Sequence, residues 1–109
     1  MTRPTMRFVP LKEIDQQDIQ ALHRVRERLM KARTALVNEI RGLLHEYGIV
    51  LPQGVSKFLK SMIHQLEAEQ AKLTPLSQEL FHKLFDEFVT LEEQLSYYEE
   101  KLDAIAHQH

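Results

Sequence analysis

The side chains that can do chemistry are spaced poorly for it. Six histidines, His23, His45, His64, His82, His107 and His109, can hold a metal or carry a proton. A helical zinc site needs two of them four residues apart on one face. No pair has that spacing, and no His-Glu-x-x-His run occurs. His107 and His109 lie at a terminus where a helix frays. The carboxylates come as neighbours, Glu92-Glu93 and Glu99-Glu100. Adjacent helical residues point in different directions, so such pairs cannot share a proton or clamp two metals. There is no cysteine and no glycine-rich phosphate loop. Thr34, Ser56, Ser61, Thr74, Ser77, Thr90 and Ser96 read as caps or helix surface, because none has a base at a defensible spacing. These residues assign no catalytic group, no metal ligand and no cofactor.

The basic residues offer a different chemistry. Arg24, Arg28, Lys31 and Arg41 lie off the apolar stripe of their helix, where they can meet phosphates without regard to base sequence. The plainer reading is a solvated face balanced by the acidic second half of the chain. Tyr97 lies off its seam and can stack on a base, or it is simply a partly exposed helix tyrosine.

The elements that position these groups follow from spacing. The chain has 109 residues, 28% charged, with three glycines, four prolines and no tryptophan, a composition of long helices in one domain. Residues 1–12 are expected to form an extended arm, since Pro4 and Pro10 disfavour helix in the residue before each. Asp15 is a good N-cap for a first helix running to Tyr47, with Gly48 as its C′ residue. Leu22, Leu29, Leu36 and Leu43 recur every seven residues as d positions, and Ile19, Arg26, Arg33, Ile40 and Tyr47 take the a positions. The arginines at a positions are expected to pack their stems and send their heads outward. Ile49 to Gly54 is an apolar connector. A shorter helix is predicted over about 56–70, capped by Ser56. A second long helix, 75–107, starts at Thr74-Pro75. Its a positions are Phe81, Phe88, Leu95 and Leu102, and its d positions are Leu84, Leu91, Tyr98 and Ile105.

The two long helices differ in charge. Between Ala21 and His45 six bases stand against two acids, a net +4. From Pro75 onward two bases stand against eight acids, a net -6. Such a pair favours an antiparallel hairpin joined through the short helix. The expected fold is therefore all-α: a long antiparallel helical hairpin or coiled coil over 13–109. A hairpin two helices thick leaves apolar surface on Met30, Val37, Leu44, Phe85 and Val89 uncovered, so assembly into a dimeric bundle is expected. The chain shows neither a membrane span nor a signal peptide, and the lack of cysteine fits a reducing cytoplasm.

Two strings go beyond what helix physics demands. One is Arg3-Pro4-Thr5-Met6-Arg7-Phe8-Val9-Pro10. The other runs from Leu22 to Gly54 and includes Arg33-Thr34-Ala35, Asn38, Ile40-Arg41-Gly42-Leu43-Leu44 and Gly48-Ile49-Val50-Leu51-Pro52-Gln53-Gly54. Together they resemble the DEDD-type insertion-sequence transposases, the RuvC-like class related to Piv DNA invertases. Beyond about Lys72 only the helical pattern carries over.

In that family an N-terminal RuvC-like domain carries four acidic residues that bind divalent metal. A helical coiled-coil region follows, and then a C-terminal domain with a serine nucleophile. Members act as oligomers on DNA, some guided by an element-encoded RNA. The last acidic pair of the family lies in a Lys-x-Asp-x-x-Asp-Ala string just before the stretch that Arg3–Pro10 resembles. The resemblance thus places this chain after the acidic tetrad and before the serine domain, and neither carries over to any position here. Asp15 and Asp18 have Asp-x-x-Asp spacing but follow the Arg-Phe-Val-Pro string, so they read as a helix cap and first turn.

The resemblance implies a non-catalytic, coiled-coil fragment of a transposase. Its partners are copies of itself, DNA and, in the whole protein, guide RNA. Divalent metal is expected only in the RuvC-like domain. The alternative is a stand-alone helical adaptor that works through protein–protein contacts alone.

Overall fold

A computed structural model describes residues 15–51 and 58–108. The arm expected over 1–12 and the Ser56 cap lie outside them. The described residues form three α-helices and no strand: α1 (Gln16–Glu46), α2 (Phe58–Ala68) and α3 (Pro75–Gln108), with a 3-10 turn at Gln70–Lys72. The all-α reading holds.

Local chemistry sets each boundary. Asp15 caps α1 through a reciprocal box: its carboxylate accepts from the Asp18 N–H at 3.0 Å, and the Asp18 carboxylate accepts from the Asp15 N–H at 3.3 Å. At the other end Gly48 N–H donates to His45 O and Ile49 N–H to Leu44 O, both at 2.9 Å. That is a Schellman turn, and it requires the positive φ of 79° seen at Gly48. A Cβ at Gly48 meets nothing closer than Lys72 Nζ at 3.9 Å, so a side chain there is opposed by backbone conformation and not by crowding. Gly48→Ala is accordingly expected to cost about 1 kcal/mol, read as a lowered urea midpoint with unchanged helicity.

After the turn, Ile49 and Leu51 are buried and Val50 is exposed. Phe58, Met62 and Leu66 recur every four residues along α2 and are its buried face. The short helix ends at Ala68, earlier than predicted. The chain tightens into the 3-10 turn because it must reverse before Pro75, which disfavours helix at Thr74. Lys72 Nζ ties this turn back to α1, donating to Gly48 O at 3.2 Å and pairing with Glu69 at 2.9 Å. Thr74 then caps α3: its Oγ1 accepts from the Ser77 N–H at 3.1 Å, and Ser77 Oγ accepts from the Thr74 N–H at 2.8 Å. This explains why Ser77 is the one buried polar residue among the described residues.

The helices α1 and α3 run antiparallel, and two ion pairs mark their register. Arg26 reaches Glu99 at 3.1 Å, and Arg33 reaches Glu92 at 2.8 Å. Seven residues up α1 correspond to seven residues down α3. Of the seam residues, Leu29, Leu36, Phe81, Phe88, Leu95 and Ile105 are buried, and Leu22, Leu43, Leu84, Leu91, Tyr98 and Leu102 are half-buried.

The core is concentrated at the end where the chain reverses. There Ile40, Leu44, Phe58, Met62 and Phe81 are fully buried, and Phe58 packs on Phe88 with centroids 5.2 Å apart. Tyr47 meets Phe81 edge-on at 5.8 Å. Away from this head the rod is two helices thick. It measures 55 × 29 × 18 Å, with a radius of gyration of 18.0 Å. A compact chain of this length has about 13 Å.

Candidate nucleic-acid interface

The six bases of α1 separate into three groups. Arg26 and Arg33 are held by Glu99 and Glu92 across the seam. Their heads turn toward α3 and not simply outward, as the a-position reading had it.

Arg41 stands one turn below the chain reversal. It is half-buried, donates from NH1 to Leu51 O at 3.4 Å, and lies 5.4 Å above the centroid of the Phe58 ring. A guanidinium over a ring face is attracted by its quadrupole. Arg41 therefore joins α1 to the connector and α2, apart from the three bases it was grouped with on sequence.

Arg24, Arg28 and Lys31 remain. They are exposed and step by four and three, which places them on one face of α1, on the far side from Leu29 and Leu36. None has an ion-pair partner among the described residues. Three exposed cations on one helix face can meet successive phosphates, and among the described residues this is the arrangement best suited to bind an anion.

The other candidates do not assemble. His23, His45, His64, His82 and His107 are exposed and scattered along the rod. His82 and His107 each place Nδ1 against the backbone carbonyl four residues earlier, Gln78 O at 2.7 Å and Asp103 O at 2.8 Å. Among the described residues no three His, Asp or Glu side chains converge as a metal site. The groove between α2 and α3 is lined by Ile63, Leu66, Leu73, Gln78, His82 and Phe85, an apolar floor without a nucleophile beside a base. Tyr97 is 37% exposed, edge-on to Tyr98 at 5.0 Å, with Lys101 Nζ 5.7 Å from its ring centroid. No described helix is long and apolar enough to cross a membrane.

Similarity to known proteins extends over nearly the whole chain. Over 105 residues, 96% of the chain, it is 44% identical to the transposase for insertion sequence element IS1111A of Coxiella burnetii. The chain is similar to insertion-sequence transposases. A probable family 20 transposase of Pseudomonas aeruginosa is 41% identical over 94% of the chain, and the transposase for element IS1328 of Yersinia enterocolitica is 34% identical over 93%. The chain spans 29%, 31% and 29% of the lengths of these three transposases. No protein-family model matches the chain, and no solved structure matches it.

Proposed function

We propose that this helical segment serves DNA transposition without performing the chemistry. In this reading it is the coiled-coil arm of a DEDD-type, RuvC-like transposase. It associates protomers in the cytoplasm, holds catalytic domains at a set separation, and touches nucleic acid through Arg24, Arg28 and Lys31. The observation that carries it is the transposase similarity over nearly the whole chain, joined to a solvent-facing basic triad with no carboxylate partner among the described residues. Cutting and joining, the acidic tetrad with its divalent metal, and the serine nucleophile are assigned to other parts of such a transposase. No residue of this chain is placed in them.

Three phosphate contacts on duplex DNA give a log–log salt slope of about -2.7, so raising salt fourfold weakens binding about 40-fold. The purified chain is expected to bind duplex DNA or structured RNA with that dependence. Arg24→Glu, Arg28→Glu and Lys31→Glu together are expected to abolish it, while Arg41→Gln leaves the slope unchanged. Absence of binding at low salt overturns the nucleic-acid role and leaves a protein–protein adaptor. Nicking or joining of DNA by the chain with magnesium or manganese overturns the non-catalytic role.

A further inference from the structure

The hairpin has two long edges, and only one is covered. On one side of the α1–α3 seam, α2 packs over the flank of α3 that carries Gln78, His82 and Phe85. The opposite flank carries Leu76, Leu80, Leu84 and Leu91, which recur by four and seven and so share a face. Leu76 is 75% exposed, Leu80 is 42% exposed, and Leu84 and Leu91 are half-buried. Beside them α1 contributes Leu43, and further down the same α1 face Val25, both half-buried. Among the described residues no element lies over this edge.

We infer that the edge opposite α2 is covered by the same edge of a second copy of this chain. The two hairpins lie side by side with heads together, related by a two-fold axis along the rod. This rests on the reading of the segment as an element that associates protomers, and it names the surface.

Two observations select this occupant. The first is charge. In the register set by Arg26–Glu99 and Arg33–Glu92, Lys83 of α3 is level with Gly42, between Glu39 and Glu46 of α1. All three charged side chains are exposed, and none has an ion-pair partner among the described residues. In the two-fold arrangement α3 of one copy faces α1 of the other, so Lys83 meets Glu39 and Glu46 of the second copy, twice by symmetry. The second is size. The apolar stripe from Leu76 to Leu91 runs about 22 Å at 1.5 Å per residue, and the whole 55 Å edge one helix wide offers at most about 600 Å² per copy, so the edge must pair along its full length to approach the ~800 Å² of a standard stable interface. The product is a layered bundle with α2 outermost on both sides, which leaves Arg24 and Lys31 uncovered and sets Arg28, on the helix line of Glu39 and Glu46, at the rim.

Light scattering on the purified chain tests this. The unmodified chain is expected at twice its 12.9 kDa mass. Leu80→Glu changes a residue that is already part-exposed, so the monomer keeps its helicity by circular dichroism. It places an unpaired carboxylate in the interface, so dimer affinity is expected to fall at least ~100-fold. Ile63→Glu, on α2, is expected to leave the dimer unchanged. Lys83→Glu is expected to weaken the dimer, and adding Glu39→Lys and Glu46→Lys to restore it. A dimer that ignores Leu80→Glu overturns this surface and leaves self-association standing. A monomeric unmodified chain overturns both.

Discussion

Phe88→Ala removes about 3–5 kcal/mol, a large share of the stability of any domain this size. Phe88 is 2% exposed and lies where all three helices meet: its ring packs on Phe58 at 5.2 Å, and Phe58 in turn carries Arg41 at 5.4 Å. The lost ring leaves a cavity that cannot collapse, because α1 and α3 are held apart at their set spacing by Ile40, Leu44 and Phe81 around it. The loss is expected to be polarised along the rod. Amides of α2 should lose hydrogen-exchange protection first, since Phe58 is its main anchor, while amides around Leu29 and Leu95 keep theirs relative to the global loss. A urea midpoint within experimental error of the unmodified chain contradicts this account of the core.

Arg33→Glu is the second large effect. Arg33 NH1 lies 2.8 Å from Glu92 Oε2, with side chains 23% and 41% exposed. Substitution sets two carboxylates against each other beside the apolar seam, where repulsion is only partly screened. Discounted for that exposure, the cost is about 2–3 kcal/mol. The swap Arg33→Glu with Glu92→Arg is expected to recover most of it, because the same pair re-forms with its ends exchanged. The more exposed Arg26–Glu99 pair, at 33% and 51%, should show less than about 1 kcal/mol in the same cycle. The native pair is not wholly favourable, because Arg33 Nε is buried without a hydrogen-bond partner, and an unmet buried donor costs free energy. Its larger contribution is to specificity: a one-heptad slip puts Arg33 opposite Glu99 and leaves Glu92 unpaired. A swap no more stable than the single substitution would falsify the register argument.

Much of the fold was legible in the sequence because its signals are local. Asp15, Gly48 and Thr74-Pro75 mark helix ends through backbone chemistry that neighbouring residues complete, and the heptads of leucine and phenylalanine state which faces meet. The ion pairs were half legible. Arg26 and Arg33 stand seven apart, as do Glu92 and Glu99, and that shared spacing is the signal for their pairing. What decides it is the antiparallel offset, which depends on the length of the chain reversal. Arg41 was misplaced for a related reason. Its partners are a carbonyl ten residues on and a ring on another helix, and periodicity along one helix carries no information about either. The basic triad was legible as a pattern; its nearest acid, Glu27 on the same helix, shares a surface hollow with Arg24 and Lys31 without forming an ion pair with either.

The antiparallel course of α1 and α3 places Asp15 and Gln108 at one end of the rod and α2 at the other. In any longer polypeptide that holds this segment, the parts before and after it attach at a common foot, and the head stands off as a boom of 55 Å. Such a boom converts rotation into travel: a tilt of about 10° at the foot sweeps the head through about 10 Å, the scale of hinge motions. With its core at the far tip and only two helices below, the segment combines a rigid end with a slender shaft, so a small reorientation at the foot would register as a large displacement of whatever the head holds.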